Sequence, residues 1–276
     1  MITYKVDKIL EHRQYLLDRF LQYNESVTGV TDYGPFCVYL LKDEKLVGGI
    51  QSSYDSNWAD LGEVYYESKL ILRIMLNELY KKYKGQVQGI SFDSHVPVTI
   101  EDLIDQGFNA KVVLEGKPLG KTSYELVNEE MAVVAFDHDY TLVTSAEPHD
   151  LYKEIMEQHL KEYNQAHDLK DDAERLQVVA FDGQDLIGGV HGYLEEDYLL
   201  VSLLWVEERY RKLNIATELM GMIEREASSR NITSSYLGTT NFQAKGFYEK
   251  LGYVVAGTYK EMPKGYENYT MIKLVI

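Results

Sequence analysis

The sequence predicts a mixed α/β fold (an α+β mixed sheet) written twice, and three observations predict it. Short motifs recur at a fixed spacing. Alternating apolar stretches give way in each half to one long amphipathic helix and then to closing strands. A length of 276 residues suits two compact domains better than one large one.

The repeat fixes the domain count. Lys45-Leu46-Val47-Gly48-Gly49-Ile50 returns as Asp185-Leu186-Ile187-Gly188-Gly189-Val190, an offset of 185 − 45 = 140. Tyr23-Asn24 returns as Tyr163-Asn164 at the same offset. Gln106-Gly107-Phe108 matches Leu251-Gly252-Tyr253 at 251 − 106 = 145, and Pro118-x-Gly120 with Tyr124 matches Pro263-x-Gly265 with Tyr269 in that register. The second copy is thus longer by five residues, placed after a strand ending near Val206. Two domains are expected, over residues 1–130 and 131–276.

The second copy is the easier to trace. Tyr140 to Val143 is a short strand, and Leu151, Ile155, Leu160 and Tyr163 follow at near-helical spacing. Gln177–Phe181 and Leu186–Tyr193 form a hairpin about the turn dipeptide Asp182-Gly183. Tyr198 to Val206 is a strongly apolar strand, and Leu219, Met220, Ile223 and Ala227 mark an amphipathic helix. Ser234 to Leu237 is a strand, Phe242 to Lys250 a short helix stopped at Gly252, and two strands flank Pro263-Lys264-Gly265.

Composition narrows the function. The formal net charge is −16, with 14 Lys+Arg against 20 Asp+Glu in residues 1–130 and 14 against 24 in residues 131–276. A nucleic-acid backbone is a poor partner for such a surface, whereas a cationic amine is drawn to it. No apolar run reaches the roughly 18–20 residues that span a bilayer. Met1 to Lys5 lacks the apolar stretch of a secretory signal. The lone Cys37 offers neither an internal disulfide nor metal-ligand spacing. The expectation is a cytoplasmic protein that binds neither membrane nor metal.

The informative segment runs from Leu203 to Thr217: a buried strand, a basic turn, then a helix. A helix N-terminus presents unpaired N–H groups and the positive end of the dipole. Arg209, Arg211 and Lys212 add cationic side chains in an otherwise acidic half, and Thr217 adds a hydroxyl. A diphosphate suits that place.

Here the sequence resembles the GNAT N-acetyltransferase superfamily. Arg211-x-x-Asn214-x-Ala216 is similar to the family's acetyl-CoA loop, Arg/Gln-x-x-Gly-x-Gly/Ala. Thr240-Asn241-Phe242-Gln243-Ala244-x-x-Phe247-Tyr248-Glu249-Lys250-Leu251-Gly252-Tyr253 resembles its second motif. The family's central glycine is Asn214, and a further position that is often glycine is Lys212. Asparagine is among the few other residues that tolerate a left-handed backbone.

The resemblance implies an acetyl-CoA-dependent acetyltransferase in residues 131–276. The backbone of Leu204 and Val206 would pair with the pantetheine arm. Arg211, Lys212, Leu213, Asn214, Ile215, Ala216 and Thr217 would hold the diphosphate, and Asn241 would touch the arm near the sulfur. Tyr248 would protonate the departing thiolate. An amine of pKa near 10.4 must first lose a proton, which costs about 4.6 kcal/mol at pH 7 unless the site helps. Glu207 ranks first as base, with Glu195, Glu196, Asp197 and His191 as the other candidates.

The first copy lacks these features. Ser68 leads straight into a helix through Lys69-Leu70-Ile71-Leu72, Asn241 corresponds to Val96, and Tyr248 corresponds to Leu103. The expectation is a degenerate GNAT-like domain that packs against the second copy and walls the acceptor pocket. Two functions follow: transfer of acetyl to an amine of a small molecule or peptide, or a non-catalytic protein that binds acyl-CoA or scaffolds a partner.

Overall fold

The computed structural model describes residues 1–276 apart from 8, 30–32, 56, 95–96, 115–121, 136, 167–172, 196 and 275. The first half runs β1 (Ile2–Val6), α1 (Arg13–Thr28), β2 (Tyr33–Lys42), β3 (Lys45–Asp55), β4 (Trp58–Tyr66), α2 (Lys69–Tyr83), β5 (Gly89–Ser94), α3 (Pro97–Ile104), β6 (Asn109–Leu114) and β7 (Ser123–Asn128). The second runs β8 (Thr141–Ser145), α4 (Asp150–Ala166), β9 (Glu174–Asp182), β10 (Asp185–Glu195), β11 (Tyr198–Val206), a 3-10 turn (Glu208–Tyr210), α5 (Ile215–Ser228), β12 (Ser234–Thr240), α6 (Lys245–Lys250), β13 (Val254–Lys260) and β14 (Glu267–Lys273). No helix among the described residues is long and apolar enough to cross a membrane.

The described strands form two mixed sheets of the same topology, ordered β8-β2-β3-β4-β5-β7-β6 and β1-β9-β10-β11-β12-β14-β13. Matching strands keep the sequence offsets: β4 starts at Trp58 and β11 at Tyr198, β5 at Gly89 and β12 at Ser234. The leading strand of each half lies in the other half's sheet. β1 pairs antiparallel with β9, and β8 pairs antiparallel with β2. The strand expected at 140–143 therefore forms, but it joins the first sheet. Exchanging equivalent elements leaves the number of ladder hydrogen bonds unchanged, so local sequence carries no preference between the two pairings.

The following helices travel with their strands. On α1, Leu16 packs with Val179, Leu203 and Trp205 of the second sheet. On α4, Met156 packs with Cys37, Tyr39 and Leu46 of the first. The second glycine of each Gly-Gly repeat receives the visiting helix. A β-carbon on Gly189 would stand 2.5 Å from Leu16 Cδ1, and one on Gly49 would stand 2.4 Å from Met156 Sδ.

The opposite face of each sheet carries its own long helix. Leu72, Met75, Leu76 and Leu79 of α2 are core of the first half, and Leu219, Met220, Ile223 and Ala227 of α5 are core of the second. Neighbouring residues of β9 show the two faces, since Val178 and Ala180 lie in the α5 core while Val179 meets α1. Part of the first sheet, at Trp58 of β4 and Glu125 of β7, also meets β13 and β14. Trp58 Nε1 donates to the Lys260 carbonyl at 3.2 Å, and its ring meets Tyr259 edge-on at 5.6 Å.

Candidate active site

The cleft begins where two parallel strands part. β11 pairs with β12 only from Tyr198–Val201 against Ser234–Leu237, then the two diverge. Along its other edge β11 follows β10 to Val206, with a bulge that leaves Ser202 without a ladder partner. The Glu207 N–H donates to the Ile187 carbonyl at 2.9 Å. Backbone groups alternate between the edges of a strand, so Leu204 and Val206 turn theirs towards the open side. The Val206 carbonyl accepts from Arg211 Nε at 3.1 Å.

Eight residues, Glu207–Asn214, link β11 to α5, whereas only Glu67 and Ser68 link β4 to α2. Lys212 and Asn214 both adopt φ of +65°, the conformation that their family glycines would take without strain. Asn214 is the N-cap of α5, but its side chain makes no capping bond and instead donates to Glu218 Oε1 at 3.3 Å. The first N–H groups of α5 thus stay available to an anion. In the first half that position is closed. Ser68 caps α2 by accepting from the Ile71 N–H at 3.5 Å, and Lys69 pairs with Asp102 and Asp105 at 2.7 and 3.0 Å.

The second rim is β12, the turn after it and α6. Gln243 Oε1 accepts the Thr240 N–H at 3.0 Å, which folds the turn back on the strand. Tyr248 follows on α6, buried, with its ring edge-on to Phe247 at 5.1 Å and Tyr253 at 5.8 Å. Burial pushes its phenol pKa up, so it keeps its proton at neutral pH.

Helix α1 of the first half closes the cleft. The lining combines Phe20 and Tyr23 with Val201 to Val206, Arg211, Ala216, Gly238, Thr239, Gln243, Ala244, Phe247 and Tyr248. Of the residues expected at the site, Leu204, Val206, Arg211, Ala216 and Tyr248 line it. Lys212, Leu213, Asn214, Ile215 and Thr217 lie on the adjoining turn and first turn of α5, while Asn241 is exposed at the end of β12. The sequence reading missed Phe20 and Tyr23, although the Tyr-Asn repeat that contains Tyr23 was visible. It also missed Ser202, Trp205 and Gly238.

Among the described residues, the lining contains no carboxylate and no imidazole. Glu207 lies beside Arg19 of α1, whose pKa is raised by Tyr15 first and Glu207 further down. Glu195 accepts from the Tyr198 hydroxyl, Asp197 gives its carbonyl to Ser234, and Glu196 falls outside the described residues. His191 is buried, and its Nδ1 lies 2.9 Å from the Oγ of the lining residue Ser202. Burial first, then Arg13 and Arg175, hold its imidazole down to about 4, so it is neutral at pH 7.

A group of acids stands near the Gly238 side of the cleft. Thr270, the ladder partner of Gly238, donates to Glu125 Oε1 at 2.9 Å, and Tyr259 donates to Glu125 Oε2 at 2.6 Å. Asp93 pairs with Glu125 across β5 and β7. It is open to solvent, yet its pKa is raised to about 8, by desolvation first and then by Glu125, Asp60 and Glu195.

A sheet that splays beside an uncapped helix N-terminus, with a tyrosine on the opposite rim, has the architecture of an acyl-CoA-dependent transferase. The sequence profile described as the acetyltransferase (GNAT) family matches residues 138–253. A blasticidin-S acetyltransferase from Streptomyces morookaense is 31% identical over 90 residues, 32% of this chain and 66% of that protein. An acetyltransferase from Agrobacterium fabrum is 32% identical over 104 residues, 37% of this chain and 76% of that one. The crystal structure of an acetyltransferase from Bacillus cereus superposes with a TM-score of 0.43 at 26% identity, over 46% of this chain and 94% of that chain. The chain belongs to the GNAT family of acetyltransferases.

Proposed function

We propose that the second half transfers an acetyl group from acetyl-CoA to an amine of a small molecule or peptide by direct attack, in the cytoplasm. The first half, residues 1–130, is a degenerate copy that does not bind the nucleotide. The observation that carries this reading is the run from the open edge at Leu204 and Val206 into the turn at Lys212 and Asn214 with φ of +65°. The edge can add a strand-like arm, and the turn brings main-chain donors to one place.

Acetyl-CoA supplies an acetyl group activated as a thioester. The backbone of Leu204 and Val206, with Asn241, would hold its arm, and Arg211, Lys212, Leu213, Asn214, Ile215, Ala216 and Thr217 would hold its diphosphate. Tyr248, still protonated at neutral pH, donates its proton to the departing sulfur. Glu207, at the end of β11, takes the amine's proton, and His191, reached through the Ser202 hydroxyl, is the alternative base. The acids near the Gly238 side of the cleft favour a cationic acceptor.

The lining without a carboxylate or imidazole favours a second reading, a protein that binds acyl-CoA without turnover. Thiol release from acetyl-CoA across a panel of amines, read beside thermal stabilisation by acetyl-CoA, separates the two. Release with any acceptor supports the transferase; stabilisation without release supports the binding protein. No stabilisation contradicts both.

A further inference from the structure

Helix α1 reaches the cleft only because the leading segments are exchanged, and it meets both rims of the splay. Arg211, on the β11 side, places its guanidinium carbon 5.2 Å from the centre of the Tyr23 ring. On the β12 side, the Tyr23 hydroxyl donates to the Phe242 carbonyl at 3.3 Å. At the next residue, Gln243 Nε2 donates to Asn24 Oδ1 at 2.9 Å, and one turn further the Tyr266 hydroxyl donates to the Val27 carbonyl at 3.1 Å.

We infer that Tyr23 is a positioning residue that fixes the width of the cofactor cleft, holding Arg211 on one rim and the Phe242 carbonyl on the other. The first half thereby sets the cofactor affinity of the second, although it has no nucleotide site of its own. Arg211 needs such a partner. Its Nε is already committed to the Val206 carbonyl, and the ring of Tyr23 fixes the plane in which its remaining N–H groups point. Without the ring, the guanidinium swings into solvent and each binding event must order it again. Without the hydroxyl, the turn that leads to Tyr248 loses its tie to the opposite rim.

The inference rests on the cofactor reading of this cleft, and calorimetric titration of the full-length chain with coenzyme A tests the two separately. Tyr23→Leu fills similar space without ring or hydroxyl, and should raise Kd about 5- to 20-fold while the variant stays folded. Tyr23→Phe keeps the ring over Arg211 and should recover most of that loss, within about 3-fold of the parent. In an Arg211→Ala background, Tyr23→Leu should add less than about 2-fold, because the pair acts as a unit. A folded Tyr23→Leu variant with the parent's Kd overturns the role of Tyr23 and leaves the cofactor reading standing. Additive losses in the double variant overturn the coupling to Arg211. A parent chain that binds no coenzyme A overturns the cofactor reading, and this inference with it.

Discussion

Leu16 lies so close to Gly189 that a β-carbon there would stand 2.5 Å from its Cδ1. The contact joins a helix of the first half to the sheet of the second, and any side chain at Gly189 must displace the fully buried Leu16 side chain or the helix that carries it. Gly189→Val should destabilise the protein by about 1–3 kcal/mol. Gly49→Val, against Met156 of α4, should do the same in the other sheet. Urea unfolding checks both. An unchanged midpoint for Gly189→Val contradicts the close seating of α1.

Much of this fold is legible in the sequence. β11 spans Tyr198–Val206 as its apolar run predicts, and Asp182-Gly183 sits at the hairpin turn, where Gly183 has a φ of +64°. Asn214 takes the left-handed conformation that its tolerance suggested. The exchange of β1 and β8 is not legible, because the edges of β2 and β9 offer the same ladder to either strand. For that reason the repeat revealed Tyr23 while hiding that it faces the other copy's cleft. The approach of Asp93 to Glu125, Asp60 and Glu195 is hidden too, since an acid on a strand gives no local sign of what covers its face.

The left-handed turn makes a prediction at one residue. Asn214→Gly should leave coenzyme A affinity within about 2-fold of the parent, because glycine reaches a φ of +65° freely. Asn214→Val should weaken it at least about 10-fold, since a β-branched residue is a strong outlier at positive φ. Calorimetric titration of the two variants measures the difference, and equal affinities contradict a role for the turn's conformation.

Tyr248 should separate binding from chemistry. Tyr248→Phe should lower acetyl transfer by about 10²-fold or more while coenzyme A affinity stays within about 2-fold. Thiol release under saturating acetyl-CoA, with an acceptor found in the amine panel, gives the rate. A Phe variant with the parent's rate removes Tyr248 as the proton donor.

Asp93 makes stability depend on pH. The pKa of Asp93 is about 8 in the fold against about 3.9 in an unfolded chain, so the folded state holds the proton more tightly. Its contribution is complete below about pH 4 and is lost as pH rises through 8. Asp93→Asn keeps the shape without the charge. It should melt above the parent at pH 9, with the gap closing towards pH 4. Each kcal/mol gained moves Tm by about 2–4 °C for a chain of this size. Water on the open side of Asp93 screens its charge and trims the gap. Melting curves from pH 4 to 9 decide it, and a gap that widens towards acid contradicts the assignment.

The proposed function requires one half of the molecule to grip a diphosphate and the other to lack that grip. Titration of the full chain with coenzyme A measures both parts at once, as affinity and as stoichiometry. One molecule should bind per chain, with affinity falling at least about 10-fold on Arg211→Glu. Two molecules per chain, or an Arg211→Glu variant that binds as tightly as the parent, contradicts it.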